Sequence, residues 1–106
     1  MKRKEVWWIN FDPSVGGEIQ KKRPAIIISN DISNDHLNRV QVIPLSSNIE
    51  YIYPCETLLV IENKSVKAMA DQLTTVSKKR IVSQMSEIND EQMLQIEFII
   101  KLQLGF

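Results

Sequence analysis

Apolar residues recur along this chain in short runs of strand length until near its end, where the spacing becomes helical. Val6 to Phe11 is an apolar, aromatic run, and the cluster Asp12 to Gly17 after it is dense in turn formers, which predicts a strand opening into a long loop. Beyond Pro24, Ala25 to Ile28 is a β-branched run typical of a strand buried on both faces. A polar loop, Asn30 to Asn38, follows. Arg39 to Val42 alternates and predicts a third strand, stopped near Pro44 and opening into Ser46, Ser47 and Asn48. Cys55 to Ile61, Val66 to Ala70 and Thr74 to Ser77 predict three more strands. The run Val82 to Ile88 reads as a further strand, in competition with a helical turn beginning at Lys78 to Ile81.

The period changes at Asn89. This residue is placed to cap a helix with Gln92 three positions on, and Met93, Ile96, Ile99, Ile100, Gln103 and Leu104 then recur at helical spacing. Five to seven short strands and one late amphipathic helix predict a mainly β fold, a strongly bent antiparallel sheet or small barrel with the helix over an open side. Trp7, Trp8 and Phe11 are expected in its core.

A chain of 106 residues forms one domain, 1–106, so any active site sits on one small fold or between copies of it. The apolar share of 43% and charged share of 25% are ordinary for globular proteins and exclude disordered, collagenous and coiled-coil classes. No run is long enough to span a membrane, and the basic start leads into Trp7 and Trp8 rather than a secretory apolar block, so a cytoplasmic protein is expected. Cys55 stands alone and His36 is the only histidine, which excludes an intrachain disulfide, zinc sites and paired catalytic histidines. Thirteen Lys and Arg balance thirteen Asp and Glu. Residues 1–23 nevertheless carry a local surplus of three positives, which permits anion binding there.

The segment Gly16 to Ala25 holds the densest candidate chemistry. Two glycines let backbone approach a ligand, and Pro24 holds Arg23 extended at the mouth of the next strand. Glu18 and Arg23, five positions apart, can flank a phosphate: the guanidinium offers a planar fork of donors and the carboxylate can accept a proton. The plain alternative is an exposed ion pair worth under about 1 kcal/mol. Lys21 and Lys22 can follow a nucleic-acid backbone. Ser46 and Ser47 end the third strand, where hydroxyls can donate to phosphate oxygens, although turns often carry serines for local reasons. Asp71 and Gln72 lie between apolar strand segments, where an acid needs a partner or solvent. His36 is assigned no chemistry.

Four segments in order carry a family likeness. Val6 to Pro13 with Gly16, Gly17 and Glu18, then Lys22 to Ala25, then Val42 to Asn48, then Ala68 to Gln72 and the closing helix together resemble the MazF/PemK-like toxin family over nearly the whole chain. The resemblance implies an SH3-like β-barrel with a C-terminal helix, paired into a homodimer whose groove holds RNA. It implies a sequence-specific endoribonuclease, independent of metals and cofactors, that turns the ribose 2′-hydroxyl against the adjacent phosphate of single-stranded RNA. The products are a 2′,3′-cyclic phosphate and a 5′-hydroxyl. It further implies the toxin half of a toxin–antitoxin pair, with a cognate antitoxin bearing an acidic, apolar tail.

Carried over by position, the family's glutamate, arginine and threonine fall on Glu18, Arg23 and Ser46, where serine keeps the hydroxyl and loses the rotamer-restricting methyl. Glu18 is the expected base, helped by any rise of its pKa through partial burial; Arg23 holds the phosphorane; Ser46 assists it. Lys21, Lys22, Ser47, Asp71 and Gln72 are the expected RNA contacts. Where some relatives place a basic residue two positions before the acid at Asp71, this chain has Met69. Two other outcomes are compatible with the same fold: a CcdB-like toxin that binds DNA gyrase without catalysis, and a catalytically silent interaction module.

Overall fold

The computed structural model describes all 106 residues. In chain order the elements are β1 (Glu5–Asn10), β2 (Lys22–Ile27), α1 (Asp31–His36), β3 (Arg39–Ser46), β4 (Glu56–Ile61), β5 (Lys64–Met69), β6 (Thr74–Ser77), β7 (Ile81–Glu87) and α2 (Asp90–Leu104). Short 3₁₀ turns, Ala70–Gln72 and Lys78–Arg80, join β5 to β6 and β6 to β7. The strands form one curled antiparallel sheet, a half-barrel in the order β4-β5-β3-β2-β1-β7, with β6 pairing β3 off that path. This is the mainly β fold with a closing helix that the hydrophobic pattern predicts.

β3 is the hub of the curl. Its first half, Arg39 to Val42, pairs β6, whereas Leu45 and Ser46 pair β5. Pro44 sits where one neighbour is exchanged for the other, so the amide that proline lacks falls between two ladders. The strand therefore runs on through Pro44 to Ser46 instead of stopping before it.

Each face of the sheet carries its own core. Val6, Ile26, Ile43, Leu45, Leu59, Ile61 and Ala68 meet Met93, Ile96 and Ile99 of α2 on one face. Ile9, Phe11, Ala25, Ile27, Val40, Val42 and Val76 pack together on the other, inside the curl. Because both faces are covered, Ala25, Ile26 and Ile27 of β2 are all fully buried, as their unbroken β-branched run implies. Trp7 is half-buried against the inner core and Trp8 is half-buried, so of the three aromatic residues expected inside only Phe11 is.

α2 begins on a capping box: the Gln92 amide donates to the Asn89 side chain at 2.8 Å, and the Asn89 amide donates to Gln92 Oε1 at 3.0 Å. It ends at Gly105, whose φ of 79° is the left-handed conformation that glycine adopts without a Cβ clash. Met93, Ile96 and Ile99 bury one side, while Gln103 and Leu104 of the expected apolar face are exposed. A second apolar row, Leu94, Phe98 and Leu102, repeats every fourth residue and faces solvent.

The polar segment after β2 is not wholly loop. Asn30 accepts from the Ser33 amide at 2.9 Å and caps α1, while the buried Asn34 side chain hydrogen-bonds Ser29 and Asp31. With almost no apolar residues, α1 has no hydrophobic period to announce it; its capping and the buried amide hold it instead. At Lys78 both expectations hold in succession, a helical turn and then β7.

Candidate active site

Sheet register decides which polar side chains share a face. Ala25 pairs Pro44 across β2 and β3, and the same register continued two residues outward sets Arg23 opposite Ser46. Arg23 pairs Ile9 on its other side, and Ser46 pairs Lys67 of β5. Antiparallel partners point to one face, so Ile9, Arg23, Ser46 and Lys67 form a cross-strand row on the face opposite α2. Ile9 belongs to the inner core. The row thus passes from apolar interior to a polar rim carrying a guanidinium, a hydroxyl and an ammonium.

The three groups differ in how they are held. Arg23 is partly buried, and its Nε donates to the Gln20 carbonyl at 2.9 Å, which folds the stem onto its own loop. Ser46 is 9% exposed; its Oγ accepts from the Asn48 amide at 3.2 Å, leaving the hydroxyl proton as its remaining donor. Lys67 is buried, and its Nζ donates to Glu56 Oε1 at 3.1 Å and to the Tyr51 carbonyl at 3.0 Å.

Glu18 lies apart from this row. The Val15 amide donates to its Oε1 at 2.7 Å, and the side chain is exposed. It forms no ion pair with Arg23, so the paired reading of these residues does not describe the structure, and its exposure leaves it without the partial burial that would help a base. Glu18 instead borders an open cavity of about 340 Å³ together with Asp71, Gln72, Thr74 and Arg80.

Gln72 turns out to brace this loop. The Ile19 amide donates to its Oε1 at 3.0 Å and its Nε2 donates to the Gly17 carbonyl at 3.1 Å, so one side chain grips the backbone on both sides of Glu18. Asp71, in the same 3₁₀ turn, stays exposed beside the cavity. Arg80 holds the other end of the loop by donating to the carbonyls of Asn10 and Asp12. Lys21 and Lys22 are both exposed; Lys21 has a φ of 71°, and its amide donates to Asp12 Oδ1 at 2.9 Å. Ser47 is exposed at the end of β3.

Two cations at this surface escape the sequence pattern. Lys67 carries a visible signal, a lysine inside the apolar run Val66 to Ala70, where a charge needs a partner. It stands two residues before Met69 on the same face of β5, so this strand does present a cation beside Ser46. Arg80 has no such signal, because its partners are backbone carbonyls remote in sequence.

No helix is long and apolar enough to cross a membrane. The family model described as "PemK-like, MazF-like toxin of type II toxin-antitoxin system" matches residues 2–104. The chain is 30% identical to "Endoribonuclease MazF9" of Mycobacterium tuberculosis over 113 aligned residues, covering 98% of this chain and 96% of that protein. Among solved structures it is similar to MazF from Deinococcus radiodurans, with a TM-score of 0.90 at 24% identity, covering 100% of this chain and 97% of that one. A mycobacterial endoribonuclease solved in complex with its cognate antitoxin shares the fold at a TM-score of 0.84 and 19% identity, covering 100% of this chain and 96% of that one.

Proposed function

The chain belongs to the PemK-like, MazF-like toxin family of type II toxin–antitoxin systems and is a MazF-like endoribonuclease toxin; from that premise we propose that it cuts single-stranded RNA on the Arg23–Ser46 row. What supports this reading is the β2–β3 register, which, continued two residues beyond the Ala25–Pro44 pair, brings a guanidinium opposite a hydroxyl on the helix-free face.

In the proposed reaction the ribose 2′-oxygen attacks the adjacent phosphorus, its proton passes to a base, and the P–O5′ bond breaks as the departing oxygen gains a proton. A 2′,3′-cyclic phosphate and a 5′-hydroxyl result. Arg23 holds the phosphorane oxygens with two parallel donors, and the Ser46 hydroxyl donates a third bond. Glu18 is the proposed proton acceptor; it borders the cavity beside Asp71 and Gln72, on a loop whose backbone Gln72 holds on both sides of it, and the bound RNA would have to bring the 2′-hydroxyl within its reach. Lys21, Lys22 and Ser47 line the exposed approach, where backbone phosphates of the substrate would pass, and Asp71 faces bases in the cavity.

The uncovered apolar surface supports a homodimer. β4 is an edge strand with Leu58 and Val60 in solvent, and Leu94 and Phe98 of α2 stand close to it around shared clefts. Such an edge invites a second copy. A cognate antitoxin is the other proposed partner, an acidic, apolar segment suited to a groove of cations and apolar side chains.

The test is cleavage of end-labelled single-stranded RNA in excess EDTA by the wild-type protein and by Arg23→Ala. Fragments with cyclic-phosphate and 5′-hydroxyl ends from the wild type alone are expected. Equal turnover by Arg23→Ala would remove the mechanism, and duplex RNA cut as fast as single strands would remove the substrate class.

A further inference from the structure

The connection from β3 to β4 leaves Tyr51 and Tyr53 in solvent, 63% and 55% exposed, with ring centroids 4.5 Å apart and planes tilted by 60°. Neither ring belongs to either core. The segment is nevertheless fixed. Lys67 Nζ donates to the Tyr51 carbonyl at 3.0 Å and lies 5.8 Å from the centre of the Tyr53 ring, while the Tyr53 amide donates to Glu56 Oε1 at 2.9 Å. Lys67 and Glu56 pair at 3.1 Å with side chains only 11% and 6% exposed. Desolvation makes such a pair no better for stability than apolar side chains of the same volume. What it secures is placement of two rings that the fold does not otherwise need.

Lys67 links the rings to Ser46, and Tyr53 also borders a cleft shared with Asp71, Gln72 and Leu102. Lys67 is the β-partner of Ser46, with Cα atoms about 4.5–5.5 Å apart as in any antiparallel pair, so the lysine that fixes the tyrosines shares a face with that hydroxyl. We propose that Tyr51 and Tyr53 form a stacking platform for an unpaired base of the RNA next to the bond that is cut, with Lys67 as its positioning residue. This rests on the nuclease reading above. A base flanking the Arg23–Ser46 row needs a π-surface to settle on once it has left its own stack, and rigid aromatic rings supply one at small entropic cost. Every base offers a π-face, so the platform contributes affinity and alignment and leaves sequence choice to other contacts.

The experiment uses the full chain and a short single-stranded RNA carrying 2-aminopurine at successive positions, its 2′-hydroxyls methylated to block cleavage, alongside a cleavable version for kinetics. Wild type and Tyr53→Phe are expected to quench the fluorophore at one position. In Tyr53→Ala that quenching is lost and KM rises about 5- to 150-fold, the range expected for one stacked base, with kcat little changed. Tyr51→Ala should shift KM in the same direction. The double variant Lys67→Met/Glu56→Leu, which removes both buried charges together, should weaken quenching while its thermal midpoint stays near wild type; unchanged quenching would take Lys67 out of the scheme. Wild-type cleavage with unaltered KM in both alanine variants would overturn the platform and leave the nuclease standing. Loss of sedimenting dimer in those variants, in step with activity, would overturn it by making the rings part of a contact between copies. A wild type that neither cuts nor binds RNA would overturn the nuclease reading and the platform with it.

Discussion

The Ile19 amide donates to Gln72 Oε1 at 3.0 Å, a bond between residues 53 positions apart that fastens the β1–β2 loop to the turn after β5. The other end of the same side chain donates to Gly17 at 3.1 Å. Glu18 is thereby suspended between two anchored neighbours. A glutamine that braces its neighbours' backbone has its polar atoms engaged, and a contact to RNA bases would have to displace one of them.

Gln72→Ala tests which role dominates. Two hydrogen bonds of ordinary strength are lost, about 1–2 kcal/mol of stability. If the brace sets the height of Glu18, kcat falls about 10- to 100-fold with KM little changed, since small misplacement of a reacting group is costly. Steady-state kinetics on a single-site RNA and urea unfolding check both numbers. A rise in KM at constant kcat would mean that Gln72 touches the substrate instead.

Arg23 and Ser46 should separate in the size of their effects. Arg23→Ala is expected to lower the cleavage rate by at least about 10²- to 10³-fold, and Arg23→Lys to recover little, because an ammonium cannot offer two parallel donors. Thermal unfolding should barely change, since the guanidinium's hydrogen bond in the fold is to the Gln20 carbonyl. Ser46→Ala keeps a reduced but measurable rate, because the arginine still holds the phosphorane. Single-turnover assays beside melting curves decide both.

These contrasts track what a linear pattern can carry. β-branched runs and the helical period of Met93, Ile96 and Ile99 mark the strands and α2 because burial of a face imposes a period. α1 shows no period because its stability comes from the Asn30 cap and the buried Asn34, which are local hydrogen bonds. Pro44 reads as a stop, yet it sits where β3 changes neighbours, and that exchange is a property of topology. At the site, Pro24 and the β-run after it fix Arg23 at a strand mouth, so its place is legible. The brace by Gln72 and the row joining Ser46 to Lys67 depend on register between remote strands, which no spacing within one segment encodes.

The Lys67–Glu56 pair should reveal itself in an asymmetry of stability. Lys67→Ala leaves the Glu56 carboxylate at 6% exposure without its cation, so unfolding free energy is expected to drop by about 3–5 kcal/mol. Replacing both residues by apolar ones of similar volume should return most of that loss. Urea midpoints of the single and double variants close the cycle; a single variant as stable as wild type would mean that the loop moves and lets water reach the carboxylate.

Stability at the extremes of pH should depend on three surface groups near the N-terminus. The Arg3 backbone amide, which donates to Asp31 at 2.8 Å, holds that carboxyl below its ordinary range, and the Lys4 ammonium beside Asp90 does the same there. A carboxyl lowered in the folded state contributes stability above its unfolded pKa of about 3.9, and the contribution disappears as pH falls through the lower folded value. Lys4 has the opposite sign: its hydrogen bond to Asp90 raises its pKa, so its contribution is complete below about 10.4 and vanishes as pH climbs through the raised value. Asp31→Asn should therefore flatten only the acid limb of a plot of urea midpoint against pH, whereas Asp90→Asn should flatten both limbs. Because Asp31 and Asp90 are exposed and Lys4 is only half-buried, added salt should shrink the two effects together. Unchanged limbs in Asp90→Asn would mean that the Lys4–Asp90 contact does not persist in solution.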